Sequence, residues 1–165
     1  MSRYDKSEFY QIVHEILVHP EFQKRKKFAH HGEESVYAHS LQVSFIAYRL
    51  AKRMHLDARS AAIGGLLHDF YTTPWMDAKK PDRFRDMHGF VHAKQAYRNA
   101  IKYFPHLMTP KIKDIITKHM FPLNINPPKY KESWVVTLAD KIASTKVFLN
   151  PKDLPMYVGI RKRKK

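Results

Sequence analysis

The feature that most constrains this fold is a short, wholly apolar segment that ends in two polar residues. Residues 61–67 read Ala-Ala-Ile-Gly-Gly-Leu-Leu, and His68 and Asp69 follow directly. Asp57 has the residue type of a helix N-cap, so the pattern predicts a helix from 58 to about 69. Because small residues and glycines let neighbouring helices approach closely, we expect this helix to form the buried centre of the domain.

The other apolar patterns also have helical spacing. Candidate start signals are Ser35 before a long amphipathic segment and Thr109-Pro110 before a shorter one. Further helices are predicted over 7–18, about 89–103 and about 132–148, whereas the polar segment 72–87, with two prolines, is predicted to be a long loop. The chain has only 5 Gly, fewer than a protein of many tight turns would carry. The sequence therefore predicts an all-α, compact single-domain helical bundle of about six helices.

Composition limits the classes of site and partner. The chain has no Cys, which excludes disulfides and thiolate metal sites and suits a reducing cytoplasm. Its first residues are polar and no segment approaches the roughly 18 apolar residues that span a bilayer, so we expect a cytoplasmic protein without a signal peptide or membrane span. The formal net charge of +15 favours an anionic partner. Two basic runs, 24–27 and 161–165, are interpreted as a solvated face and a frayed tail.

Residues with metal-binding side chains lie on the inward faces of three predicted helices. His39 is on the apolar stripe of its helix, His68 and Asp69 end the central helix, and Asp140 follows the apolar run 135–139. Burying carboxylates and imidazoles without partners is unfavourable, and a divalent cation would compensate for it. Imidazole and carboxylate ligands suit Mn, Fe, Co, Ni or Zn rather than soft metals, and Mg remains open.

Three motifs together resemble the HD superfamily of phosphohydrolases. They are His39-Ser-Leu-Gln-Val, Gly-Gly-Leu-Leu-His68-Asp69 and Leu-Ala-Asp140-Lys141. The similarity covers residues from about 35 to 145, and it implies an α-helical bundle that holds a metal through the first His, the His-Asp pair and the late Asp. On this basis we expect an N-terminal helix and charged connection over 1–34 that packs on the domain. The HD domain itself would span 35–149, and a basic tail would span 150–165.

Two further histidines extend the resemblance to the binuclear branch of the family. His88 and His119 fall where that branch supplies extra ligands, and Asp69 would bridge the two metals. His92 is an alternative to His88, because residues four apart share a helix face. The set implied by the resemblance, for one or two divalent metal ions, is His39, His68, Asp69, His88, His119 and Asp140.

The resemblance implies hydrolysis of a phosphate ester or anhydride by metal-activated hydroxide. Catalytic roles fall to His68, Asp69 and Lys141, although the Lys141 ammonium has the alternative of extending into water. His92, Lys141 and Arg83 are candidates for contacts with substrate phosphate. The expected substrate is a small phosphorylated molecule, nucleotide-like, whose identity the sequence leaves open along with the oligomeric state.

Two other functions compete with hydrolysis. An HD-type di-iron oxygenase would use a very similar ligand set to activate oxygen. A non-catalytic module would use the basic surface to bind nucleic acid or an acidic partner. The small size and strong basicity of the chain favour the phosphohydrolase, and the intact ligand pattern argues against a module with a degenerate site.

Overall fold

A computed structural model describes residues 3–28, 35–71 and 88–149. These residues contain seven α-helices, which confirms the all-α prediction. Their bounds are α1 Arg3–Val18, α2 Pro20–Gln23, α3 Val36–Arg53, α4 Ala58–Leu67, α5 His88–Tyr103, α6 Pro110–Lys118 and α7 Lys131–Leu149. Short 3₁₀ helices cover Lys24–Lys27 and Pro105–Leu107. The predicted loop 72–87 lies outside the described residues.

Three predicted helix starts are confirmed by their capping bonds. The Ser35 hydroxyl accepts from the Ala38 amide at the start of α3. Asp57 accepts from the Ser60 amide at the start of α4. Thr109 does the same for α6, where Pro110 occupies the first helical position. Each cap satisfies an amide that the first turn leaves without a partner, so it fixes where the helix begins.

Helix α4 is the centre of the bundle, as its composition predicts. It contacts α1, α3, α5, α6 and α7, and nearly all its residues are buried. Its two glycines lie where neighbouring helices come closest. A Cβ on Gly64 would stand 2.5 Å from Ile115 Cγ2 on α6, and one on Gly65 would stand 3.0 Å from Ser44 Cα on α3. The glycines thus set how near α3 and α6 come to the end of α4.

Helix α1 packs against the same core. Its apolar stripe of Phe9, Val13 and Ile16 is buried, and the Phe9 ring meets the rings of Phe45 and Tyr48 on α3 with centroids 5.0 and 5.4 Å apart. In the part of the chain that the structure describes, no helix has the length and apolar character that crossing a bilayer requires.

Candidate metal centre

Five helices bring six histidine and aspartate side chains to one place in the core. Helices α3, α5 and α7 each carry one of these side chains inside the helix. The others belong to residues that directly follow the last turns of α4 and α6. The six are His39, His68, Asp69, His92, His119 and Asp140. Five are buried, and the Asp140 side chain is 16% exposed, so the cluster opens toward solvent on that side.

Asp140 faces two of the imidazoles. Its Oδ1 lies 3.0 Å from His39 Nε2 and 3.7 Å from His68 Nε2. Burial opposes the charged form, but the bonds and charges of the two histidines outweigh it and hold the pKa of Asp140 far below its usual range. The Asp140 carboxyl group is therefore anionic at neutral pH.

The two oxygens of Asp69 face different partners. Oδ2 lies 3.4 Å from His68 Nε2. Oδ1 lies 3.3 Å from His92 Nε2 and 3.7 Å from His119 Nε2. The two oxygens thus approach different imidazoles. His68, which also faces Asp140, is next to Oδ2, and His92 and His119 are next to Oδ1.

Backbone carbonyls orient two of the rings. His68 Nδ1 lies 2.7 Å from the Gly65 carbonyl oxygen, and His119 Nδ1 lies 2.8 Å from that of Ile116. Because a carbonyl oxygen only accepts, each Nδ1 carries the hydrogen and donates it. In the neutral ring this leaves the Nε2 lone pair pointing into the cluster, which is the usual arrangement of a metal-binding histidine.

His92 and His119 meet at their Nε2 atoms, 3.1 Å apart. Since His119 Nε2 presents a lone pair, His92 Nε2 has to donate a hydrogen to it when no cation is present. Two imidazole nitrogens on neighbouring helices could also serve as ligands of one divalent cation. The pair is therefore compatible with a shared cation as well as with a hydrogen bond.

The charges of the cluster also favour a cation. Burial, assisted by the charges of His68 and His92, lowers the pKa of His119 to about 3, so this ring is neutral. Burial disfavours a charge on His68 too, but Asp69 and Asp140 outweigh it and raise the pKa of His68 well above its ordinary value. The His68 imidazolium thus stands beside two carboxylates, and a divalent cation would replace its proton.

The donor set and its geometry fit a divalent metal. Two groups, His39-His68-Asp140 and His68-Asp69-His119, have ligand atoms within 4.8 Å of one another. His68 Nε2 is buried without a hydrogen-bond partner among the described residues. Its distances of 3.4 and 3.7 Å to two carboxylate oxygens are too long for good hydrogen bonds. A cation among these atoms, bound in place of the Nε2 proton, would satisfy this nitrogen.

The remaining predicted site residues have different placements. His88 begins α5, one turn before His92, but its side chain lies outside the described residues, as does Arg83. Lys141 is exposed, and its Nζ donates to the Phe121 carbonyl oxygen at 3.0 Å. The structure thus places His92 in the cluster, and the assignment of a ligand role to His88 stays a prediction.

Two buried residues are not among the site residues predicted from the sequence. Tyr71 is buried, and its ring lies 6.1 Å from that of His92, centroid to centroid. Burial and the charge of Asp69 raise the pKa of Tyr71, so the phenol is neutral. Arg25 is 1% exposed, so its interpretation as part of a solvated basic face is wrong. Its burial follows from contacts with rings distant in sequence.

Comparison with protein-family models matches residues 36–145, about two thirds of the chain, to the HD domain. All the cluster residues lie within this range. A search of curated proteins finds no match.

Proposed function

The chain belongs to the HD-domain family, a family of metal-dependent phosphohydrolases, and from this premise we propose its reaction. We propose that it hydrolyses a phosphate ester or anhydride of a small, nucleotide-like substrate at a centre of two divalent cations. The observation that carries the proposal is the position of Asp69, whose two oxygens face separate groups of buried imidazoles.

In this proposal each side of Asp69 holds one cation. His39, His68 and Asp140 would bind the first, and His92 and His119 would bind the second, with Asp69 bridging them. His92 is preferred to His88 because its Nε2 lies 3.3 Å from Asp69 Oδ1 and 3.1 Å from His119 Nε2. Oxygen and nitrogen donors of this kind accept Mn, Fe, Co, Ni or Zn, so the cellular supply would select the metal.

The metals and the protein would contribute different parts of the chemistry. Bound divalent cations lower the pKa of water and stabilise charge that develops on phosphoryl oxygens. The protein supplies fixed ligand geometry, because the Gly65 and Ile116 carbonyls hold the rings of His68 and His119 in place. Burial keeps the local dielectric low, which strengthens the interaction of these groups with a phosphoryl group.

The charge of the chain supports an anionic substrate. The formal net charge is +15, and a basic surface raises the rate at which phosphorylated molecules arrive. Lys141 directly follows Asp140 in α7 and is exposed, and its ammonium donates to the Phe121 carbonyl oxygen. We therefore retain Lys141 as a candidate phosphate contact at the edge of the site.

The decisive experiment measures phosphate release from a panel of nucleotides, dinucleotide polyphosphates and sugar phosphates. Wild type, Asp69→Ala and a surface control, Glu15→Gln, are each assayed with Mn, Fe(II), Co or Mg. Glu15 is exposed and pairs only with His106 among the interactions described. We expect metal-dependent turnover in wild type and control, and its loss in Asp69→Ala.

The opposite result would redirect the search. If folded, metal-loaded wild type turns over none of these phosphates, the hydrolase proposal is wrong. Oxygen consumption by the iron-loaded protein would then identify an oxygenase. A salt-dependent shift of a nucleic-acid probe that persists in Asp69→Ala would instead identify a binding module.

A further inference from the structure

Arg25 is a buried cation that forms no ion pair within 4 Å among the residues the structure describes. It lies in the 3₁₀ helix Lys24–Lys27, and only 1% of it is exposed. Its Nη1 donates to the Glu21 carbonyl oxygen at 3.1 Å. Its Nε and Nη2 have no hydrogen-bond partner among the described residues. The Glu21 carboxylate, the nearest acid in sequence, pairs with Lys24 instead.

Aromatic rings hold the guanidinium in place. Its central carbon lies 4.6 Å from the centroid of the Phe70 ring and 5.2 Å from that of Phe28. Cation–π contacts of this kind favour the charged form and fix the plane of the group. They do not satisfy the N–H donors, because each ring presents its face rather than a lone pair. Burying a charge with unpaired donors is strongly unfavourable, so an anion is the missing element.

The two unpartnered nitrogens have a defined geometry. In a planar guanidinium Nε–H and Nη2–H point in nearly the same direction and form one edge of the group. This edge matches two oxygens of a phosphate or carboxylate, which can accept two parallel bonds. The Glu21 carbonyl occupies the opposite side through Nη1. Within the described ranges this edge therefore has no hydrogen-bond partner, and its geometry is suited to a tetrahedral oxyanion.

The position of Arg25 connects this edge to the metal centre. Phe70, which stacks on the guanidinium, directly follows Asp69 in the chain. Tyr71 follows Phe70, and its ring lies 6.1 Å from that of His92, centroid to centroid. An anion held on the Arg25 edge would therefore lie next to the segment that carries Asp69 into the cluster.

We propose that Arg25 binds a phosphate group of the substrate through Nε and Nη2 beside the metal centre. The proposal rests on the proposed function for the identity of that anion as a phosphate. The substrate would then contain at least one phosphoryl group that pairs with the buried guanidinium, and this group can be the reacting one or another. It also explains why an arginine, rather than one of the adjacent lysines, is the buried member of the run 24–27.

Binding of inorganic phosphate to manganese-loaded protein tests the proposal by isothermal calorimetry. The variants are Arg25→Gln, which removes the charge, and Arg25→Lys, which keeps the charge but loses the two-donor edge. Lys26→Gln is the matched control, because Lys26 is the next residue in the chain and its side chain is exposed. We expect the phosphate dissociation constant to rise about tenfold to a hundredfold in Arg25→Gln, with a smaller rise in Arg25→Lys.

Several outcomes would overturn the proposal. Lys26→Gln should bind as wild type does, and metal content should be equal in all variants. Equal phosphate binding by wild type and Arg25→Gln would exclude the role of Arg25, as would an absence of phosphate binding by wild type. If Arg25→Gln does not fold, the Arg25 Nε–H resonance of wild type should shift on addition of phosphate, and an unchanged resonance excludes the contact.

The same data separate this proposal from the hydrolase proposal. Loss of phosphate binding in Arg25→Gln, together with no turnover by wild type with any metal, would leave the anion site standing and remove the hydrolase function. If turnover is lost in Asp69→Ala while KM is unchanged in Arg25→Gln, the hydrolase function would stand and the role of Arg25 would be removed.

Discussion

His68 and His119 are held in the same way at the ends of two different helices. Each follows the last residue of its helix, α4 or α6, and donates Nδ1–H to the carbonyl three residues earlier. Their rings lie 4.9 Å apart, centroid to centroid, at an interplanar angle of 83°. Two helix ends thereby direct the Nε2 atoms of two histidines toward Asp69, and this arrangement underlies the predictions about metal binding.

The first prediction concerns the two histidines at the start of α5. We expect His92→Ala to lower the bound metal from two equivalents to one, because it removes a nitrogen 3.1 Å from His119 Nε2. His88→Ala, one turn earlier, is the matched variant and should retain both equivalents. Metal content after gel filtration measures the difference, and loss of metal in His88→Ala with retention in His92→Ala would reverse the assignment.

The second prediction separates the two carboxylates. Among the ion pairs of the described residues, Asp140 faces His39 and His68, so Asp140→Asn should weaken one of the two metal-binding events. Asp69→Asn should weaken both, since the Asp69 oxygens face both groups. Calorimetric titration with Mn²⁺ should resolve these patterns, with losses of at least about tenfold in affinity, the scale seen even for residues that only support ligands. Equal effects of both variants on both events would contradict a bridging role for Asp69.

The sequence predicts the parts of this molecule that local interactions determine. The caps at Ser35, Asp57 and Thr109 are confirmed because a cap needs only a side-chain oxygen near its own helix. The central position of α4 is also confirmed, and it could be predicted because the residues of this helix are apolar on nearly all sides. The short helix Pro20–Gln23 is not predicted, since four residues carry too little periodicity to be recognised.

The same reasoning fails where tertiary contacts decide. Arg25 lies among three lysines, so its sequence context is that of a solvated run, yet Phe70, 45 positions later, covers it. His88 and His92 share a helix face, and spacing alone does not choose between them. The contacts of His92 with Asp69 and His119 become visible only when α5 is packed against α4 and α6.

The third prediction concerns the contact between α4 and α6. Gly64→Ala should lower the free energy of unfolding by about 1–3 kcal/mol, because the new methyl would stand 2.5 Å from the stiff, β-branched Ile115. This loss exceeds the gain of up to about 1 kcal/mol that alanine brings to a helix interior. Urea denaturation of wild type and variant measures the change.

A double-mutant cycle provides the control for Gly64. In the Ile115→Ala background the clashing Cγ2 and Cδ1 atoms are gone, so Gly64→Ala should cost less than it does in wild type. Equal losses in the two backgrounds would show that contact with Ile115 is not the cause.

The fourth prediction concerns an ion-pair network that joins α4, α6 and α7. Lys111 Nζ lies 3.1 Å from Asp57 Oδ2 and 3.0 Å from Glu132 Oε1, and the Asp57 amide donates to the same Glu132 oxygen. Burial would raise the pKa values of both carboxyls, but hydrogen bonds and the Lys111 charge outweigh it and lower them. Lys111→Met should lower the free energy of unfolding at neutral pH by about 0.5–1 kcal/mol, a value limited by partial exposure of the network.

The pH dependence gives this prediction its sign. A carboxyl whose pKa is lower in the folded state stabilises the fold fully above its unfolded pKa, near about 4, and loses that contribution as pH falls through the folded value. The difference in unfolding free energy between wild type and Lys111→Met should therefore shrink as pH falls below about 4. Lys94→Met removes an exposed charge of the same sign on α5 and should change stability little at either pH. If the difference in unfolding free energy between wild type and Lys111→Met is unaltered at low pH, the stabilisation comes from packing of the lysine stem rather than from its charge.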